Sequence, residues 1–221
     1  MLPENSIKNF YSFILGSLIF LLGSCSEELK SSRIVYSHDF IDFTVEGWEN
    51  AKFIEFQGMN LLGNYNNEEA VLNLDNLPPH NVLEVTVDLM IHDSWDGNPD
   101  DGVGGPDIWY FQIGDQEVLR TTFSNTVCES LYCMRQSYPD NYLRQHNPKT
   151  GAIQTNLPGY CHKSNENNYT SRYRIKKLVR HNGTSVRIVF GDELVQNNTP
   201  FPKCDESWSL AKVEVSALYV K

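Results

Sequence analysis

The sequence predicts an all-β chain folded as a single antiparallel β-sandwich, a jelly roll with one long loop excursion stapled by disulfides. Three observations lead there. Apolar residues recur at period two in short runs, most clearly where Leu83, Val85, Val87, Leu89 and Ile91 alternate with Glu84, Thr86, Asp88, Met90 and His92. Clusters of Gly, Pro and Asn separate these runs at the spacing of turns. No stretch sustains a helical apolar period, and no segment repeats another. The chain's 221 residues, 40% hydrophobic and 12% aromatic, are enough for one large β domain.

In chain order, residues 34–43 (IVYSHDFIDF) read as a first strand and Gly47-Trp48 as a turn carrying an aromatic plug. Residues 52–56 and 60–65 are short strands around Gly58, with turn chemistry at Gly63-Asn64 and Asn66-Asn67. Residues 70–74 alternate again. The Pro78-Pro79 turn leads into residues 81–92, the strongest strand pattern of the chain. That strand opens directly into a loop where Asp93, Asp96, Asp100, Asp101 and Asp107 stand among four glycines. Residues 108–113 (IWYFQI) place Trp109, Phe111 and Ile113 on one face, Gly114-Asp115 turns the chain, and residues 118–123 return. Residues 124–170 have little periodicity, many Asn and Pro, and three cysteines. An excursion of that length in a compact domain is functional or pinned in place. Residues 172–179, 185–190 and 208–220 supply the last strands. Asn182-Gly183, between the first two of these, is a hairpin signal, and residues 197–205 form a final loop. No linker interrupts residues 34–221, so they are expected to be one domain.

Residues 1–24 are expected to be a signal peptide and not part of the fold. Lys8 precedes the apolar run FYSFILGSLIFLL at residues 10–22. That run is shorter than the about 20 residues a membrane span needs. Leu22-Gly23-Ser24-Cys25 resembles the lipobox of bacterial lipoproteins, which implies cleavage before Cys25 and lipidation of its thiol and amino group. Ser26-Glu27-Glu28 resembles the acidic export tag that sends lipoproteins of Bacteroidota to the outer face of the outer membrane. The resemblance implies an outer-membrane lipoprotein with residues 25–33 as tether, held on the membrane by its acyl chains. The formal net charge of −10 argues against nucleic acid or an anionic membrane surface as a partner of the domain, and it favours solubility.

Beyond Cys25, the cysteines are Cys128, Cys133, Cys161 and Cys204. An even number in an exported protein reads as two disulfides, with three possible pairings. The favoured one joins Cys128 to Cys133 as a local loop and Cys161 to Cys204 as a long staple. A zinc site is the alternative, but the sequence has neither a C-x-x-C pair nor histidines at ligand spacing.

Asp96, Asn98, Asp100 and Asp107 stand at the first, third, fifth and twelfth positions of an EF-hand loop. Asp101 occupies the place of the required Gly, Asp107 that of the Glu, and the flanks read as strands. What remains is a set of hard oxygens on a glycine-rich turn, as calcium requires, or a solvated polar loop. Residues 35–48, with Asp39 and Asp42, and the closing Asp205-Glu206-Ser207-Trp208 followed by Val213-Glu214-Val215, resemble the two ends of calcium-containing jelly-roll modules. Carbohydrate-binding modules, galactose-binding-like domains and MAM domains are of this kind. The resemblance implies that the first and last strands lie side by side, and it makes Asp39 and Glu206 ligands of a structural ion. The expected metal set is therefore Asp39, Asp93, Asp96, Asp100, Asp107 and Glu206, with calcium as the cofactor.

In the excursion, Tyr138 and Tyr142 stand near Arg135, Asn141, Arg144 and His146. Tyrosine faces with guanidinium and amide donors suit a saccharide or a protein epitope, or else they pin the loop to its own sandwich. Trp95, Tyr138, Tyr142 and Arg144 are the ligand-binding candidates. All four tryptophans, Trp48, Trp95, Trp109 and Trp208, are read first as filling the core or its rim. The sequence has no G-x-S-x-G elbow, H-E-x-x-H, P-loop or dinucleotide fingerprint. The expectation is a non-catalytic, lipid-anchored envelope protein that binds glycan or protein. The alternative is a glycoside hydrolase or lyase using carboxylates of the acidic loop.

Overall fold

The computed structural model describes residues 28–128 and 133–221. The expected signal peptide and Cys25 lie outside the described residues. The strands are β1 (Leu29–His38), β2 (Trp48–Glu49), β3 (Phe53–Phe56), β4 (Met59–Tyr65), β5 (Glu69–Leu74), β6 (Val82–Asp93), β7 (Ile108–Ile113), β8 (Gln116–Thr122), β9 (Ala152–Pro158), β10 (Asn167–Arg180), β11 (Val186–Glu193) and β12 (Glu206–Val220). A single helical turn, α1 (Pro202–Asp205), precedes the last strand. They form the expected antiparallel β-sandwich. Its seven-stranded sheet runs β3-β4-β12-β6-β10-β9, with β1 also on β12, and its five-stranded sheet runs β2-β5-β11-β7-β8.

The period-two pattern of β6 decides which face is buried. Leu83, Val85, Val87, Leu89 and Ile91 are all fully buried between the sheets. On β12 the same task needs a break in phase. The register shifts between Leu210 and Lys212, so Trp208 and Leu210 before it and Val213, Val215 and Ala217 after it all join the core. The smaller sheet answers with Trp109, Phe111 and Phe190. Trp109 meets Trp208 edge-on at 6.2 Å, and Phe111 stacks on Phe190 at 4.9 Å.

Several elements depart from the sequence expectation. The first strand covers 29–38, not 34–43, because Leu29 to His38 pair with β12 residues up to Val220. Most of the expected tether is thus built into the sheet. Asn182-Gly183 is not a hairpin turn. It carries the chain from β10 in the larger sheet to β11 in the smaller one, held by Leu77 N donating to Thr184 O and His181 N to Asn81 O. The long excursion contains β9, a half-exposed edge strand on β10, whose irregular register explains its lack of sequence alternation. The Gly58 and Gly114 turns do close hairpins. Gln57 (φ 51°) and Gly58 (φ 74°) both adopt the left-handed conformation that a tight two-residue turn between β3 and β4 demands.

The strand directions give the sandwich two distinct ends. At one, β6 finishes at Asp93 opposite Glu206, where β12 begins, and β7 starts just after Asp107. We call this the acidic end. At the other, β1 begins beside the end of β12, and the ends of β10, β5 and β7 meet the start of β11.

Candidate functional site at the acidic end

The acidic end is assembled from the loop between β6 and β7, the start of β12 and the folded excursion. Asp107 lies at its centre, with no exposed surface. One oxygen, Oδ2, accepts from the backbone N–H groups of Asp96 (2.5 Å) and Gly97 (2.9 Å). The other, Oδ1, is buried and unpartnered, as is Glu206 Oε2. The two side chains interact directly. Burial pushes both carboxyls well above the ordinary carboxylate range; the charge of Asp96 adds to both, and that of Asp107 raises Glu206 further. Asp96, partly buried beside Asp205 and Asp101, is raised to about 6. Two buried carboxyls in contact cannot both be charged without a counterion. One proton shared by the pair would neutralise one of them, which is the direction of the raised affinities.

The six residues expected to hold calcium are not gathered. Asp96, Asp107 and Glu206 come together, whereas Asp39, Asp93 and Asp100 are placed otherwise. Asp39 is exposed and its Oδ1 accepts only from Ile41 N at 3.4 Å. Neighbouring Asp42 bonds His38 instead, at 3.0 Å. Asp100 is exposed on the loop. Asp93 is buried in a structural role: its carboxylate accepts from the backbone N–H groups of Tyr160, Cys161 and Lys163 at 3.0–3.2 Å. A Cβ on Gly159 would lie 2.4 Å from Asp93 Oδ1, so the turn closes over this carboxylate only because residue 159 lacks a side chain. Among the described residues, no group of three or more His, Cys, Asp or Glu side chains could hold a metal ion.

The ligand candidates also divide. Trp95 is fully buried, its Nε1 donating to Ser207 O at 2.9 Å and its ring against Phe123. Tyr138 packs on Phe123 at 5.0 Å and edge-on to Tyr173 at 5.1 Å. Both belong to the core and offer no stacking face. Tyr142 is half-buried and Arg144 exposed. The backbone of Arg144 is tied into the loop, its carbonyl accepting from Asn98 Nδ2 at 2.6 Å and from Ser137 Oγ at 3.1 Å.

Three buried amides order this whole end; Asn125 and Gln136 carry no sequence motif, and Asn98 is the third position of the EF-hand-like spacing. Asn125 donates to Ile91 O, Asp93 O and Tyr169 O and accepts from Ser171 Oγ. Gln136 Oε1 accepts from Ser124 N, Lys149 N and Tyr173 Oη, while its Nε2 donates to Tyr138 O and Thr150 O. Asn98 joins Thr122, Ser137 and Arg144. The favoured disulfides are formed: Cys128–Cys133 within the loop and Cys161–Cys204 from the excursion to α1. His92 is buried between Thr170 Oγ1 (3.1 Å) and Ser209 Oγ (2.7 Å), and burial lowers its pKa to about 3. It is neutral and structural.

A polar depression lies elsewhere, on the outer face of the larger sheet. There Glu84, Thr86, Asp88, Arg174, Lys176, Lys212 and Glu214 line a depression of about 250 Å³. The Asp88 side chain is almost inaccessible and accepts from Arg172 (2.5 Å) and Arg174 (2.7 Å), which hold its pKa down against burial. The cationic tips of Arg174 and Lys176 are each 55% exposed and project over the more deeply set carboxylates.

No family model matches this chain, and no curated protein matches it. Among solved structures, it is similar to a family GH115 4-O-methyl-α-glucuronidase with specificity for decorated arabinogalactans. The superposition covers 83% of this chain and 17% of that protein, at 10% identity and a TM-score of 0.37. A likeness this distant carries no argument about function.

Proposed function

We propose that this chain is a lipid-anchored envelope protein whose β-sandwich is a non-catalytic binding module for a polar ligand of the glycan class. The observation that supports this most directly is the depression on the outer face of the larger sheet, where hydroxyl, carboxylate, guanidinium and ammonium groups interleave in an open groove. Such a surface offers directional hydrogen bonds from charged and hydroxyl side chains, which suits a polyhydroxylated ligand better than an apolar one. The acid pair fits this reading better than the hydrolase alternative. Glycoside hydrolysis needs two carboxyls about 5–9.5 Å apart on either side of a bound sugar. Asp107 and Glu206 instead interact directly inside the sandwich.

The test is a glycan panel titrated against the full chain, neutral and uronate-bearing oligosaccharides included. Binding that is lost in Arg174→Ala and Lys176→Ala, with the bound glycan recovered uncut, supports the reading. Turnover of any panel member, or binding indifferent to both substitutions, overturns it.

A further inference from the structure

The end of the sandwich opposite the acidic one holds two histidines for which the glycan reading has no use. Two connections cross there between the sheets. Residues 75–81 lead from β5 to β6, and residues 181–185 lead from β10 to β11. Backbone bonds tie them together, Leu77 N donating to Thr184 O (2.9 Å) and His181 N to Asn81 O (3.2 Å). Asn81 also clamps the last strand. Its N donates to Leu218 O (3.0 Å), its Nδ2 donates to Val220 O (2.6 Å), and its Oδ1 accepts from Val220 N (2.9 Å).

Between the two connections, His80 Nε2 faces His181 Nδ1 at 2.8 Å. The ring planes are 16° apart and the centroids 5.0 Å, far more than the gap between the facing nitrogens, so the rings meet edge to edge. The outer nitrogens fix the hydrogens. His80 Nδ1 lies 2.7 Å from Pro78 O, which only accepts, so that nitrogen carries hydrogen. In neutral His80, Nε2 is then an acceptor, and His181 Nδ1 must donate to it. That leaves Nε2 of a neutral His181 bare beside the Ser185 carbonyl; both lie within 3.3 Å of the point where a Cβ on Gly183 would stand. Two neutral rings thus bring one N–H too few to the row from Pro78 O to Ser185 O. One added proton completes it, with His181 as the imidazolium donating at both nitrogens. A second proton places like charges on nitrogens 2.8 Å apart and removes the acceptor between them.

The charged groups on the surrounding elements are Asp75 ahead of the turn, Arg180 (which has a partner of its own), Asp115 and Arg187 along the cleft of about 830 Å³ that His181 lines, and Glu28 and Lys221 at the Val220 corner. Burial, then the charge of His80, holds His181 below the ordinary histidine value, against the pull of the Ser185 carbonyl. We propose that His80 and His181 form a proton-shared latch, closed by one proton and opened by two, through which acid loosens this end of the domain. The sign is that of a depressed histidine. Its contribution is present above the unfolded value of about 6.5 and is lost as pH falls through the lowered one. Opening separates the two connections, releases the Asn81 clamp and widens the cleft beside His181.

The test is local, because the Asp107–Glu206 pair gives the global stability the opposite slope with pH. Ring signals of His80 and His181 in the full chain, assigned by NMR through their loss in His80→Gln and His181→Gln, are followed from pH 8 to pH 4. The two rings are expected to shift together in two steps, the second below about pH 6.5. Amide hydrogen exchange at Asn81, His181 and Val220, corrected for its intrinsic dependence on pH, should quicken several-fold from pH 7 to pH 5 in the wild type. It should hold level in His181→Gln, whose amide can donate to His80 Nε2 but takes up no proton. Separate, single-step titrations of the two rings overturn the shared proton. Two coupled steps with level wild-type exchange overturn the latch. If His181→Gln does not fold, the wild-type titration and exchange decide by themselves.

Discussion

Replacing Glu206 by Gln should stabilise this protein at neutral pH and have little effect at pH 5. In the native state Asp107 and Glu206 are buried in contact; burial raises both carboxyls, and the negative charge of Asp107 raises Glu206 further. The unfolded chain titrates them near pH 4. Between that value and the raised native one, the folded state holds a proton that the unfolded state has shed. Stability then falls as pH rises, by about 1.4 kcal/mol per pH unit for one proton. From pH 5 to pH 7 the loss is about 2–3 kcal/mol. The Glu206→Gln substitution removes it. The amide that replaces the carboxyl can donate to the orphan Asp107 Oδ1 without titrating, alongside the Asp96 and Gly97 N–H groups that already favour the Asp107 carboxylate. Asp96 and Asp192, each raised to about 6, add the same downward slope to both proteins and cancel in the difference.

The assay is thermal unfolding of wild type and Glu206→Gln in EDTA at pH 5, 6, 7 and 8. In a domain of this size the variant should gain about 5–10 °C at pH 7 relative to its difference at pH 5. A difference that does not change with pH refutes the shared proton. So does a wild-type midpoint raised several degrees by millimolar calcium and unmoved by it in the variant, because the pair would then be neutralised by a cation through mass action.

Three further outcomes follow from the geometry. Removing the Cys161–Cys204 bridge, which spans 43 residues, should cost about 4 kcal/mol by loop entropy, against about 2 kcal/mol for Cys128–Cys133 with its separation of 5; denaturant unfolding of the paired Cys→Ala variants reads both. Gly63→Ala should destabilise by about 1–3 kcal/mol, because its Cβ would come within 2.4 Å of Ser209 Cβ and 3.0 Å of its Cα, where β4 meets β12; a stability equal to wild type would contradict this packing. Asp88→Asn should cost about 1–2 kcal/mol at pH 7, discounted because Arg174 is half in solvent. Asp88 has a lowered pKa, so its contribution is present above the ordinary carboxylate range and lost as pH falls through it; the two proteins should converge near the acid limit of the titration.

What could be read from the sequence divides along physical lines. Period-two burial was legible wherever one face met the core, so β6 and β7 stand where the alternation put them. β12 was legible as a strand, but its phase was not: an added residue between Leu210 and Lys212 turns the pattern over, and a bulge leaves no separate mark in the residue types. The Asn182-Gly183 signal marked a break between two strands, but not the hairpin it predicts. Local chemistry cannot say whether the strands it joins are hydrogen-bonded neighbours or face each other across a core, and here they lie in different sheets.

The acidic loop shows the same limit at the level of function. Asp93, Asp96, Asp100 and Asp107 look equivalent in sequence, yet their fates depend on which backbone groups approach them. Asp93 takes three N–H groups from a turn some 70 residues away, which only Gly159 allows to come close. Asp100 takes none that carries it inward and stays in solvent. Asp107 is drawn in by two N–H groups and then meets Glu206, a neighbour that β12 supplies from the far end of the chain. The tyrosines sort by the same rule. Tyr138 is core because Gln136, two residues before it, anchors its segment on Ser124, Lys149, Thr150 and Tyr173. Nothing in the local sequence distinguishes Gln136 from any solvated glutamine, because its partners are backbone groups that only the finished fold brings within reach.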